Sequence, residues 1–190
     1  GGRLPAMAPP DSPREAQLAA AIALHQQGAL DAAEAAYAAL LKRQPRHFDA
    51  LHLSGVIALQ TGRLEAGITR IRRAIAINPR AAAAHSNLGS GLMRLQRFAD
   101  ALASFDRALA LDPHYAEAQN NRGYALAKLK RFQEAVGAYD RALALRPDYA
   151  EAHSNRGHAL ADQQRLEEAL SAHEKALSLR PQSTEFHTSV

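Results

Sequence analysis

Three asparagines recur along the chain at an interval of 34 residues, at Asn87, Asn121 and Asn155. A glycine follows each of them two residues later, in the phrases NLG and NRG. An asparagine side chain carries a carbonyl acceptor and an amide donor, and the two together can hold a peptide backbone without reading its side chains. We call these three residues the asparagine ladder. They predict a surface that binds extended chain, or else hydrogen bonds to neighbouring helices that order the array, and the two interpretations are compatible.

The other residues that could do chemistry are scattered. His52 and His158 are expected on the same surface at different heights, too scattered for a metal site. His85 and His153 are expected to pack inward. The chain has no cysteine, which removes disulfides, thiolate zinc sites and a cysteine nucleophile, and suggests a reducing compartment such as the cytoplasm. Because GxxxxGK[ST], HExxH and a nucleophile elbow are also missing, we expect no catalysis, no cofactor and no metal in these 190 residues.

Composition narrows the class of partner. The net charge of +4 comes from 23 basic and 19 acidic residues that alternate, without the basic stripe of a nucleic-acid binder. No apolar run approaches the roughly 18 residues of a membrane span, so neither nucleic acid nor membrane is expected as a partner. The opening GGRLPAMAPP lacks the apolar core of a signal peptide, and residues 1–13 are expected to form a disordered leader.

Proline marks an internal repeat. Five prolines share a 34-residue grid: Pro45, Pro79, Pro113, Pro147 and Pro181. With proline as position 32, the repeat units are 14–47, 48–81, 82–115, 116–149 and 150–183. Each unit holds two amphipathic helical patterns joined by a short turn, and the proline stops the second helix. At the front, Ser12, Pro13 and Glu15 predict a capped helix start.

Small residues recur at position 8 of the units, as Ala21, Gly55, Gly89, Gly123 and Gly157. Positions 20 and 27 are also mostly small, and position 24 is bulky. Glycine costs about 1 kcal/mol of helix propensity relative to alanine, so its recurrence predicts two helices whose backbones approach closely. A flexible hinge is the weaker alternative, because hinges seldom recur on a strict period.

This pattern resembles the tetratricopeptide repeat, a 34-residue helix–turn–helix with small residues at positions 8, 20 and 27, an aromatic at 24 and proline at 32. The likeness covers residues 14–183, with departures at Ala21, Leu40 and His173. It implies an all-α, right-handed superhelical solenoid of five repeats, whose first helices line a concave groove. The asparagine ladder also resembles the repeat arm of O-GlcNAc transferase-like proteins, although none of that family's catalytic residues is in this chain.

Positions 2, 5, 6, 9, 12 and 13 of each first helix are expected to face the groove. The predicted groove residues are Asn87, Asn121, Asn155, Asn120, Tyr124, His52, His158, Ser86 and Ser154. The residues at positions 5 and 9 lack the pattern of the carboxylate clamp found in chaperone-tail binders. We therefore expect an interaction module that binds an extended peptide or protein segment. The rival hypothesis is the substrate-docking arm of a protein glycosyltransferase.

Arginine occupies position 7 only where the preceding unit offers an acid at position 25. This predicts the salt bridges Asp106–Arg122 and Asp140–Arg156, the alternative being arginines that extend into solvent.

Residues 184–190, TEFHTSV, fall in register with the start of the fifth unit. They are expected to begin a truncated sixth unit of a longer polypeptide or, alternatively, to form a short capping helix. Leu170 and Leu177 would then be partly uncovered, and end-to-end self-association is expected.

Overall fold

The computed structural model describes residues 13–179, and over this range the chain forms ten α-helices and no strand. In chain order they are α1 (Pro13–Gln26), α2 (Leu30–Arg43), α3 (Phe48–Gln60), α4 (Leu64–Ile77), α5 (Ala82–Arg94), α6 (Phe98–Leu111), α7 (Ala116–Lys128), α8 (Phe132–Leu145), α9 (Ala150–Asp162) and α10 (Leu166–Ser178). The odd-numbered helices are the first helices of repeats 1 to 5, and the even-numbered ones are the second helices. The expected all-α class is confirmed for the described residues.

The described residues divide into two compact units, one that ends at Leu95 and one that begins at Gln96. In the first, each of α1 to α4 packs against the next helix of the chain, and α3 also touches α5. In the second, α6 to α10 pack in the same sequential way, and α7 also touches α9. The first helices α3 and α5, and likewise α7 and α9, are therefore neighbours, which brings side chains 35 residues apart into contact.

The helix ends follow the predicted signals. Helix α1 begins at Pro13, while Ser12 and the rest of the leader lie outside the described residues. Helix α2 ends at Arg43, two residues before Pro45. The expected sixth unit or cap at 184–190 also lies outside the described range.

The turn between the two helices of each repeat needs a left-handed backbone at position 15. Glycine supplies it in repeats 1 and 2, where Gly28 and Gly62 have φ of 77° and 83°. Repeats 3, 4 and 5 place a longer side chain there, with φ of 58° to 61°, at Gln96, Lys130 and Gln164. Only glycine adopts this conformation without a steric penalty, so the last three turns carry local strain.

Close helix approach explains the glycines at position 8. A Cβ added to Gly55 would lie 2.7 Å from Ile71 Cγ1, and one added to Gly123 would lie 2.6 Å from Tyr139 Cε1. Both neighbours stand at position 24, the bulky position of the second helix. Gly67, at position 20, is equally tight, since its added Cβ would lie 2.8 Å from the carbonyl oxygen of Gly55. The packing prediction is confirmed at these positions.

Between residues 13 and 179, the longest apolar stretches fall short of what a bilayer-spanning helix requires.

Candidate functional site

In the first unit, the asparagine ladder is tied to the preceding repeat. Asn87 on α5 donates its amide Nδ2 to His52 Nε2 on α3 at 2.9 Å, which requires a neutral His52 ring with its proton on Nδ1. Burial lowers the pKa of His52, against the opposing pull of the Asp49 carboxylate, and so favours that neutral form. The ring also packs on Phe48, with 5.6 Å between ring centroids.

The second unit repeats this link with different partners. Asn155 on α9 donates its Nδ2 to Asn120 Oδ1 on α7 at 3.1 Å. Asn120 in turn donates to Glu151 Oε1 at 3.3 Å and to Asn121 Oδ1 at 3.4 Å. In both units a position-6 amide therefore reaches the position-5 side chain one repeat earlier. This arrangement matches the interpretation in which the asparagines order neighbouring helices.

Three of the position-5 residues among the predicted groove residues are buried. His52, Ser86 and Asn120 are 9%, 2% and 1% exposed. For His52 and Asn120 the reason is the next first helix, whose position-6 asparagine covers them. Ser154, at the same position of repeat 5, is half-buried.

The remaining predicted residues stay accessible. Asn87, Asn121 and Asn155 are half-buried, whereas His158 is exposed and Tyr124 is 38% exposed. Among the described residues, Asn121 Nδ2 and Asn155 Oδ1 have no hydrogen-bond partner, which leaves one donor and one acceptor on α7 and α9.

Lys128 belongs to the same face, although it is not among the predicted groove residues. Its Nζ lies 5.1 Å from the centroid of the Tyr124 ring, a cation–π contact one helical turn along α7. The spacing of four residues between an aromatic and a lysine could have revealed it. We call Asn121, Tyr124, Lys128, Asn155 and His158 the amide–aromatic face.

His158 contacts the histidine that departs from the repeat pattern. Its ring meets His173 edge to face, with 4.7 Å between centroids. His173 stands at position 24 and fills the space over Gly157, whose added Cβ would lie 2.7 Å from His173 Cε1. Burial, together with the nearby His158, lowers the pKa of His173.

The histidines at position 4 of repeats 3 and 5 hydrogen-bond to the preceding repeat, and His85 is buried whereas His153 is half-buried. His85 donates its Nε2–H to the carbonyl of Pro79 at 3.1 Å, and His153 does the same to Pro147 at 3.0 Å. Each thus ties a first helix to the proline that ends the preceding repeat. Across residues 13–179, no group of three histidine or carboxylate side chains is placed to hold a metal ion.

The two predicted salt bridges are present. Arg122 Nε lies 2.6 Å from Asp106 Oδ1, and Arg156 Nε lies 2.6 Å from Asp140 Oδ1. Because the carboxylate side chains are 51% and 52% exposed, each pair is a surface interaction worth about 1 kcal/mol or less.

The predicted uncovered leucines are also accessible. Leu170 and Leu177 on α10 are 61% and 67% exposed, and Leu166 beside them is 62% exposed.

The model of the tetratricopeptide repeat family matches residues 18–82, 86–150 and 130–184. Among solved structures, MamA aligns with a TM-score of 0.77 at 24% identity, covering 84% of this chain and 93% of that one. YrrB, described as a TPR protein with an unusual peptide-binding site, aligns with a TM-score of 0.75 at 23% identity over 88% and 86%. PilF of Pseudomonas aeruginosa gives 0.80 at 19% over 89% and 77%. No curated protein matches the chain. At these identities the likeness shows the fold, a helical solenoid of repeats.

Proposed function

The chain belongs to the tetratricopeptide repeat family, and from this premise we propose that it is a protein-interaction module that binds an extended peptide or protein segment on its first helices. One observation carries the proposal. Within residues 13–179, the amide–aromatic face of α7 and α9 presents an amide donor at Asn121 and a carbonyl acceptor at Asn155 that have no hydrogen-bond partner. A peptide backbone offers the complementary acceptor and donor.

The neighbouring side chains add a preference. Tyr124 is exposed enough to pack against an apolar side chain, and Lys128 above it can meet an acidic one. Buried Asn120 holds Asn155 in place, so the acceptor is oriented before a ligand arrives. Such preorganisation reduces the entropy lost on binding. The similarity to YrrB, described as having a peptide-binding site, agrees with this function.

A peptide library selected against the whole chain tests the proposal. Asn121→Ala and Tyr124→Ala should each lower the affinity for a selected peptide by roughly five- to twenty-fold, because each removes one hydrogen bond or one aromatic contact. Gln133→Ala, which removes an exposed amide from α8, is the matched control and should leave binding unchanged. If both variants bind normally, the face is not the peptide site.

Substitution of the asparagine ladder distinguishes a role in peptide binding from a role in ordering the repeats. Changing Asn87, Asn121 and Asn155 together to alanine should weaken the peptide while helix content stays the same. Each lost hydrogen bond contributes about 0.5–1.5 kcal/mol, so the combined loss would be ten- to a thousand-fold. A lower melting temperature with unchanged affinity would instead assign the ladder to ordering the repeats alone.

The rival function is the substrate-docking arm of an O-GlcNAc transferase-like protein glycosyltransferase, favoured by the recurring NLG and NRG phrases. The reading frame beyond Val190 distinguishes the two. Further repeats that lead into a nucleotide-sugar transferase domain would support the docking arm, and an unrelated domain would exclude it.

Self-association and cytoplasmic location stay predictions. We propose that the exposed Leu166, Leu170 and Leu177 of α10 drive end-to-end association of the chain. Light scattering should show a mass that rises with concentration and returns to the monomer when Leu170 and Leu177 are changed to lysine. A monomer at millimolar concentration would contradict this.

A further inference from the structure

The junction between repeats 1 and 2 lacks the salt bridge found at the last two junctions, between repeats 3 and 4 and between repeats 4 and 5. The acid at position 25 is replaced by Ala38, and the arginine at position 7 is replaced by Ser54. Both replacements are small, so the volume that Asp106 and Arg122 occupy in the second unit has no side chains to fill it here. A cavity of about 360 Å³ lies at this place, between α2, α3 and α4.

The walls of this cavity combine aliphatic surface with positive charge. Ala38, Leu41 and Pro45 supply the aliphatic side. The polar side holds three cations, Lys42, Arg70 and Arg73, against one carboxylate, that of Glu34. The lining therefore carries an excess of positive charge beside an apolar wall.

Only some of the hydrogen-bond donors on these three cations have partners in the described part of the chain. Arg70 uses a single nitrogen, Nη1, for both Glu34 Oε1 at 2.7 Å and the Ser54 carbonyl at 3.2 Å. Arg73 donates one hydrogen bond, to the Pro45 carbonyl at 3.2 Å. Within residues 13–179, the remaining guanidinium nitrogens of Arg70 and the Lys42 ammonium have no partner. Several donors are thus free to meet an anion, and Arg70, with 32% of its side chain exposed, lies deep enough to be partly desolvated.

Glu34 neutralises part of the positive charge in the lining. Its two oxygens are held by Arg63 Nη2 at 2.5 Å and Arg70 Nη1 at 2.7 Å. The three cations still outnumber this one carboxylate, so the cavity attracts an anion. Guanidinium groups also match the planar carboxylate in pairs of hydrogen bonds.

We infer that this cavity binds a carboxylate joined to an aliphatic group, as presented by an aspartate next to a leucine in a partner protein. The carboxylate meets Arg70, Arg73 and Lys42, and the aliphatic side chain packs on Ala38 and Leu41. The site shares no residue with the amide–aromatic face, so it is independent of the proposed function and gives the chain a second point of attachment. A free branched-chain organic acid has the same chemistry and is the other source of such a ligand.

Three probes test the inference by NMR titration of the ¹⁵N-labelled full chain. The first is a ten-residue peptide with Leu-Asp at its centre and alanine and serine elsewhere, the second is its Leu-Asn counterpart, and the third is 4-methylpentanoate. The Leu-Asp peptide should shift the amide signals of Ala38, Leu41 and Ser54. The Leu-Asn peptide should bind at least about ten-fold more weakly, because it loses a charge-assisted hydrogen bond.

The two sources separate in the same titration. Tighter binding of the peptide than of 4-methylpentanoate assigns the cavity to a protein segment. Equal binding of the two assigns it to a free acid and upholds the carboxylate site. A phosphoserine peptide that binds more tightly than the Leu-Asp peptide would overturn the inference.

Two variants with opposite expected effects sharpen the test. Ala38→Asp combined with Ser54→Arg installs the pair seen at the later junctions, fills the cavity and should abolish the shifts. Glu34→Gln removes the competing carboxylate and should raise the affinity for the Leu-Asp peptide several-fold. Arg107→Ala, at the repeat-3 position that corresponds to Arg73, is the control and should change nothing.

If the Ala38→Asp, Ser54→Arg variant does not fold, the double change Arg70→Ala with Arg73→Ala tests the same site by removing the two arginines that bind the carboxylate. This pair should weaken the peptide at least about ten-fold. Unchanged affinity in either variant, or equal binding of the Leu-Asp and Leu-Asn peptides, would show that the cavity is not a carboxylate site. Asn121→Ala should leave this titration unaffected, which keeps it distinct from the test of the proposed function.

Discussion

The junction between repeats 1 and 2 and the last two junctions of the chain are held by different ion pairs. In the second unit, Arg122 and Arg156 each pair with one acid of the preceding repeat. The arginine just before each second helix pairs with an acid in the first turn of that helix, as Arg131 does with Glu134. In the first unit, Glu34 alone receives both Arg63 and Arg70.

The burial of the carboxylates affects stability more than the number of ion pairs that each one makes. The Glu34 side chain is 20% exposed, whereas those of Asp106 and Asp140 are about half exposed. The regular pairs can be replaced by water, but removing Glu34 leaves two arginines without their carboxylate at a partly buried position. The comparison teaches that, between repeats 1 and 2, a single and more deeply placed acid takes the place of the regular salt bridge.

The largest expected effect follows from that depth. Glu34→Ala should lower the free energy of unfolding by about 2 kcal/mol, because hydrogen bonds to charged groups contribute roughly 1.5–3 kcal/mol and solvent compensates only in part. Asp106→Ala, the matched change in the second unit, should cost less than about 1 kcal/mol. Urea denaturation followed by circular dichroism measures both. Equal losses would remove the distinction between the junctions.

The turns offer the next contrast between the units. Gly62→Ala should destabilise the chain by about 1 kcal/mol, because alanine pays roughly 1–2 kcal/mol for a left-handed backbone and recovers some of it through a less flexible unfolded chain. The space around Gly62 is open, so no clash contributes. Thermal unfolding should show the loss. A neutral result would mean that the turn relaxes.

The reverse change should be smaller. Lys130→Gly relieves the strained turn of repeat 4 but makes the unfolded chain more flexible, and the two effects nearly cancel, for a net gain of about 0.5 kcal/mol at most. A clear loss of stability would show that the Lys130 side chain makes contacts worth more than the strain.

A double-mutant cycle measures the regular pair directly. Asp140→Ala and Arg156→Ala, alone and together, should give a coupling energy of about 0.5–1 kcal/mol that shrinks in 1 M salt. A coupling of zero would show that the contact contributes nothing to stability and that NRG is only a tolerated variant of NLG.

The smallest effect is on acid sensitivity. Hydrogen bonds from Arg63, opposed by partial burial and aided by Arg70, hold the pKa of Glu34 below its ordinary value of 4.5. Its stabilising charge is therefore complete above pH 4.5 and is lost as the pH falls through the lower folded value. The stability difference between the wild type and Glu34→Gln should accordingly shrink below pH 4.5. A difference that stays constant down to pH 3 would contradict the ion pairs.

Much of the fold could be predicted from the spacing of residue types along the sequence. The proline grid, the small residues at position 8 and the apolar periodicity depend only on local geometry, and Gly55 and Gly123 meet their position-24 partners as that geometry requires. The pairs Asp106–Arg122 and Asp140–Arg156 were predictable because each position recurs in a fixed place relative to the preceding helix. Glu34 was not singled out, although it interrupts a column that is otherwise apolar, as at Ile68 and Val136.

The sequence by itself determined the repeat, the helix pairs, the inward histidines and which residue types stand at each recurring position, because these follow from chain geometry over 34 residues. Only the tertiary structure decided which of those residues become buried and which of them share hydrogen bonds between first helices. It joined Asn155 to Asn120 across two first helices, buried Asn120 and His52, and placed Arg70 on Glu34. The physical reason is that burial and hydrogen bonding depend on the neighbouring repeat, and a helical wheel describes one helix at a time.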